Sequence, residues 1–122
     1  MSIALIFLVC GAAYGIGAGT MKGSNDVIGA MQKAIGSDIM MVLDECVSSQ
    51  ADETDTRTAM ERTHRWALRS LAARTNPEQA LFAIMQGGVI PALRRESAAF
   101  LTAHPFDGFA IGGVSVGEGF DV

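Results

Sequence analysis

Asp44, Glu45 and Cys46 follow directly on the apolar run Ile39-Met-Met-Val-Leu43, so two carboxylates and a thiol stand where a hydrophobic segment stops. So short an apolar run between polar residues does not suit a buried helix and fits a strand covered on both faces, as in parallel sheets. Ligands in such architectures are held beyond the carboxyl ends of the strands, which makes the three side chains candidates for a binding site. The plainer alternatives are a cap or loop acid for Asp44, a small buried thiol for Cys46 and a solvated or ion-paired acid for Glu45.

The same plan recurs twice. Ala80-Leu-Phe-Ala-Ile-Met85 is an apolar run closed by Gln86-Gly87-Gly88, and Phe109-Ala-Ile111 is another, closed by Gly112-Gly113 and continuing through Ser115 and Gly117 to Glu118. Helical spacing fills the intervals. Ser24 or Asn25 can cap a helix that carries Val27, Ala30, Met31 and Ala34 and stops at Gly36. Val47 to Asp55 is polar and acidic and reads as a loop. Thr56 then opens a long helix to about Arg74, with Met60, Thr63, Trp66, Ala67 and Leu71 on one stripe and Arg57, Glu61, Arg62, Arg65 and Arg69 facing away. Asn76-Pro77 blocks its continuation. Pro91 suits the first turn of another helix, Ala92 to Ala103, which places Leu93, Ser97 or Ala98, Phe100 and Leu101 on one side.

Alternating strand and helix implies right-handed βαβ units and a parallel sheet. Its three tips then share one edge and gather Asp44, Glu45, Cys46, Gln86, Gly112, Gly113 and Glu118 around one volume, as a (β/α) barrel builds its site. His64 and His104 read as surface or helix-end residues, the methionines as core filler, and Arg57, Arg62, Arg65, Arg69 and Arg74 as a solvated helix face before an RNA-binding one.

The 122 residues fit one domain, and 49% of them are hydrophobic, enough for a core. A net charge of -4 argues against a stand-alone nucleic-acid binder. Cys10 and Cys46 form neither a metal set nor a disulfide framework, which points to free thiols in a reducing, cytoplasmic compartment. Glycines 15, 17, 19 and 23 with Lys22 invite a phosphate-loop reading, but Lys22 lies between Met21 and Gly23 and neither Gly-Lys-Ser/Thr nor G-x-G-x-x-G is met. Ile3 to Gly19 is uncharged and just reaches the length of about 17 residues that a membrane-spanning helix needs. A strand with a glycine loop, a membrane or signal segment, and a stretch foreign to the domain behind it all remain open there.

Four blocks resemble one family. Ser37-Asp-Ile-Met-Met-Val-Leu-Asp-Glu-Cys46, Ala80-Leu-Phe-Ala-Ile-Met-Gln-Gly-Gly88, Leu93-Arg-Arg-Glu-Ser97 and Gly108-Phe-Ala-Ile-Gly-Gly-Val-Ser-Val-Gly-Glu118 look like the middle of a tRNA-guanine transglycosylase, or queuine tRNA-ribosyltransferase. The likeness runs from about Ser24 to Glu118, which divides the chain into an unmatched hydrophobic, glycine-rich segment, 1–23, and a domain, 24–122. It implies an α/β fold, part of a (β/α)8 TIM barrel with about three to four βα units and a parallel sheet. It also implies a tRNA substrate whose wobble guanine is exchanged for queuine or preQ1 by double displacement.

Carried onto this chain, the resemblance assigns Asp44 to the ring and exocyclic nitrogens of the purine, Cys46 to the pocket lining and Gln86 to the purine carbonyl. The backbone of Gly112 and Gly113 lies alongside, and Val114-Ser115 forms a flipping peptide supported by Glu118. The family's nucleophilic aspartate and its zinc ligands, three cysteines and a histidine, have no counterpart in these residues, so zinc belongs to the family expectation and not to this chain's side chains. A partial barrel would leave open strand edges and an uncovered apolar face, which leads to an expected homo-oligomer or association with a fuller subunit.

Overall fold

The computed structural model describes residues 35–118. Within the compact unit Ile39–Val122, five elements follow in order: β1 (Ile39–Met41), α1 (Glu53–Ala73), β2 (Ala80–Met85), α2 (Pro91–Thr102) and β3 (Gly108–Ile111). The strands form one parallel three-stranded sheet in the order β1-β2-β3, with Met40 opposite Leu81 and Ala83 opposite Phe109. A parallel sheet of consecutive βα units is what the alternating pattern demands; three strands do not by themselves make a barrel. The run Ile3–Gly19, the glycine loop at 15–23 and all but the end of the helix expected from Ser24 lie outside the described residues. No described helix is long and apolar enough to cross a membrane.

α1 begins earlier than its composition suggests. The Asp52 carboxylate accepts the Asp55 N–H at 2.8 Å, and Glu53 and Asp55 occupy the first turn, where acids complement the positive helix end. The acidic stretch read as loop is therefore partly a capped helix start. Arg74 turns to extended backbone and closes the helix through its N–H to the Leu71 carbonyl. Pro91 opens α2 as expected from its fixed φ and missing N–H.

One face of the sheet carries the core. Met40, Val42, Leu81 and Ala83 pack with Ala67 of α1, Leu101 of α2 and Phe106. The parallel register puts Phe109 and Ile111 on the same face as Leu81 and Ala83, yet they are 46% and 70% exposed, because neither described helix reaches over β3. At the opposite end of the strands from the tips, Asp107 joins β3 to β2: its Oδ2 accepts the Leu81 N–H at 2.8 Å and pairs with Arg74 at 2.7 Å, while its own N–H donates to the Leu81 carbonyl. These contacts hold its carboxyl below the usual range, the Leu81 N–H contributing most.

Candidate functional site

Parallel pairing brings the carboxyl ends of all three strands to one edge, and short bonds carry the alignment past them. The Val42 N–H donates to the Phe82 carbonyl at 3.0 Å and the Gly112 N–H to the Met85 carbonyl at 2.9 Å. Beyond these points the three tips meet. Gln86, 2% exposed, donates from Nε2 to Asp44 Oδ2 at 2.5 Å, although the two are far apart in sequence.

Gly113 packs against the same amide so closely that a Cβ there would lie 2.7 Å from Gln86 Oε1, and its φ of +69° is in the left-handed region. Glycine is the residue that meets both conditions. A Cβ on Gly112 would likewise fall 2.7 Å from Gln86 Nε2. Asp44, Gln86, Gly112 and Gly113 thus form one cluster of a carboxylate, an amide and glycine peptide edges. Such a set can accept from two donors and donate to a carbonyl on a flat ligand.

Glu45 turns away from this cluster, as an ion-paired acid. Its carboxylate takes Arg62 Nη1 at 2.6 and 2.8 Å, and its N–H donates to Thr63 Oγ1 at 2.9 Å. Cys46 is exposed and its thiol lies 3.8 Å from the Val47 carbonyl, with no bond to the Asp44–Gln86 pair among the described residues. The 114–118 loop is held by its own acid. Glu118 accepts the N–H groups of Ser115 and Val116, the latter at 2.8 Å, and Ser115 takes a φ of +62° that non-glycine residues seldom adopt. Backbone N–H groups, first its own and then those of Val116 and Ser115, hold the Glu118 carboxyl below the usual range. A 3.5 Å bond from the Ser49 N–H to the Val116 carbonyl ties this loop to the one that follows Asp44.

The chain matches the family model described as queuine tRNA-ribosyltransferase over residues 17–122. It belongs to that family. Among curated relatives bearing the same name, those of Dehalococcoides mccartyi are represented by a protein 55% identical over 93 residues, 76% of this chain and 24% of that protein. The Thermotoga petrophila relative is 57% identical over 88 residues, 72% of this chain and 24% of its own length. The relative from Herpetosiphon aurantiacus is 52% identical over 88 residues, 72% and 22% of the two chains. The chain spans about a quarter of the length of the curated relatives it matches.

The family expectation of zinc can be tested against the donors present. Among the described residues no three His, Cys, Asp or Glu side chains converge as metal ligands would, so these residues do not supply that site.

Three supporting residues of this family member were not assigned a role from sequence. Ser97, fully buried on α2, accepts the Gln86 N–H at 3.2 Å and bonds His64 Nε2 at 3.0 Å. His64 is not a surface residue: it is 7% exposed and stacks on Phe100 with centroids 4.2 Å apart. Its ring lies on the inner side of α1 because α2 crosses there, which the spacing of apolar residues on α1 alone does not reveal. His104 matches the helix-end expectation, with Nδ1 2.9 Å from the Phe100 carbonyl. Arg94 is the third, its Nη1 bonded to the carbonyls of both Gly88 and Gly112 at 3.0 Å. The signal available was a polar residue, Ser97, on an otherwise apolar stripe. Of the outward arginines, Arg57 and Arg62 pair with Glu96 and Glu45, in keeping with a solvated helix face.

Proposed function

We propose that this chain carries the purine-recognition wall of a tRNA base-exchange enzyme, a transferase that replaces the wobble guanine of tRNA by queuine or preQ1. The reading assigns residues 24–122 to part of a (β/α)8 barrel and leaves 1–23 outside it. The observation that carries it is the bond between Asp44 and Gln86 with Gly112 and Gly113 packed against the same amide, at the tips of parallel strands in a member of this family. In this reading Asp44 accepts from the ring N–H and exocyclic amine of the purine, and Gln86 Nε2 leaves Asp44 to donate to the purine carbonyl. Cys46 lines the outer part of the pocket, and Glu118 holds the peptide at Ser115 that faces the base. The attacking aspartate, on the resemblance, is not one of these residues, so the chain's own contribution is binding and orienting the base. Zinc, where the family uses it, is held elsewhere than by the described side chains.

The test is equilibrium binding of guanine to the chain and to its Asp44→Ala variant. Loss of the acceptor leaves two donors of a bound base unpaired, about 1 to 3 kcal/mol each, so affinity falls at least tenfold. Unchanged affinity removes Asp44 from the site and the reading with it. The exposed Phe109 and Ile111 favour a second statement, that the chain associates with a copy of itself or with a fuller subunit through the β3 side. Sedimentation of the chain, alone and mixed with a full-length relative, checks this: a lone monomer that forms no complex refutes it.

A further inference from the structure

One side chain ties the two glycine tips together. Arg94, in the first turn of α2, donates from a single nitrogen, Nη1, to the carbonyls of Gly88 and Gly112, each at 3.0 Å. Gly87 lets the helix start come this near: a Cβ on it would lie 2.7 Å from the Arg94 backbone nitrogen. No peptide bond among the described residues is cis, so a carbonyl and the N–H of the same peptide point in opposite directions. With its carbonyl turned to Arg94, the Gly112–Gly113 peptide directs its N–H the other way. Gly113 is buried, and among the described residues its N–H donates to no acceptor. A buried donor without a partner is rare enough in folded proteins to ask for a ligand.

We propose that Arg94 is a positioning residue that turns the Gly113 N–H toward the 6-oxo group of a bound purine, so that the chain prefers a 6-oxopurine over its 6-thio analogue. The inference rests on the purine reading above and adds to it a residue that need not touch the base. A charged donor on the Gly112 carbonyl also draws electron density through the peptide, which makes the Gly113 N–H a stronger donor than an unassisted one.

The experiment is equilibrium dialysis of the 122-residue chain against guanine and, separately, 6-thioguanine, which keeps the ring N–H and amine edge but offers sulfur, a weak acceptor, in place of the 6-oxo oxygen. Arg94→Met, which keeps the stem and removes the donors, is expected to weaken guanine about tenfold and to leave 6-thioguanine nearly unchanged. Arg94→Lys recovers most of the preference, because one ammonium can reach both carbonyls as Nη1 does. Equal weakening of both bases makes Arg94 a general scaffold residue and overturns the proposal, as does no weakening of either. A measurement on the unmodified chain stands independently of any folding defect in the variants: the Gly113 amide proton moves downfield on adding guanine and much less on adding 6-thioguanine. An unmoved Gly113 amide in a chain that does bind guanine refutes this inference alone. A chain that binds neither base refutes the purine reading as well.

Discussion

Ser97→Ala tests how the helices hold the site. The Ser97 hydroxyl accepts the Gln86 N–H at 3.2 Å and shares a hydrogen bond with His64 Nε2 at 3.0 Å, whose direction follows the imidazole tautomer. Removing the oxygen leaves a backbone N–H and a ring nitrogen without partners in a fully buried place. Each costs about 1 to 3 kcal/mol, and partial relaxation brings the sum to about 2 to 4 kcal/mol. That is a large share of the 5 to 15 kcal/mol, roughly, that holds a domain together. With a urea slope of about 2 kcal/mol/M, the unfolding midpoint falls by about 1 to 2 M at unchanged slope.

A second substitution separates the two orphans. His64→Phe keeps the stacking on Phe100 and removes the ring nitrogen that Ser97→Ala leaves unpaired, so adding it to Ser97→Ala should restore about 1 to 2 kcal/mol rather than subtract more. The pH dependence follows from the burial of the same ring. Burial lowers the His64 pKa from its ordinary 6.5, helped by His104 and opposed by Glu96 and Glu61. The unfolded chain therefore binds the proton first, and this part of the stability is complete above about pH 6.5 and declines as pH falls toward the folded-state value. The His64→Phe chain lacks that decline. A midpoint shift in Ser97→Ala below about 0.25 M, or strictly additive losses in the double variant, would refute the reasoning.

Two further outcomes follow from single positions. Gly113→Ala forces a Cβ to within 2.7 Å of Gln86 Oε1 and puts alanine at a φ of +69°, so the Gln86 amide or the glycine peptide must shift from the place where each would meet the base. Guanine affinity should drop at least about tenfold, with a stability loss of about 1 to 2 kcal/mol; retained affinity in a folded variant contradicts the packing described. Asp107 has a folded-state pKa below its ordinary 3.8, so the stability it contributes is present above that value and is lost as pH falls through the folded-state pKa. Asp107→Asn should lower the melting temperature at neutral pH and flatten its fall in acid, and an unchanged acid limb sinks that account.

The tips were legible because each is written locally: an apolar run of strand length ends, and a polar or glycine residue follows it. Asp44, Gln86, Gly112 and Gly113 come together because parallel pairing needs nothing more than the order of the elements to align those ends. What local pattern could not supply is the direction of side chains on facing helices. His64 looked like one polar position among many on α1, since its burial is produced by α2 lying against it and by the ring of Phe100. The start of α1 was hidden for the opposite reason, because Glu53 and Asp55 favour a helix terminus through the same charge that makes a segment look like loop.

These two kinds of information divide the candidate site physically. The groups that would face a base stand on strand ends and glycine peptides, which can be read from sequence but carry little orientation of their own. The groups that orient them, Ser97 under Gln86 and Arg94 under Gly88 and Gly112, belong to α2 and act through single hydrogen bonds. A helix packed on the sheet is a firmer support than a loop, because shifting it would expose Leu93 and Leu101, both essentially buried. Leu101→Ala, at about 2 to 5 kcal/mol, should therefore weaken guanine binding in parallel with stability, whereas Arg94→Met should change the choice of base with far less effect on stability. If both variants lost binding only in proportion to stability, α2 would be scaffold and nothing more.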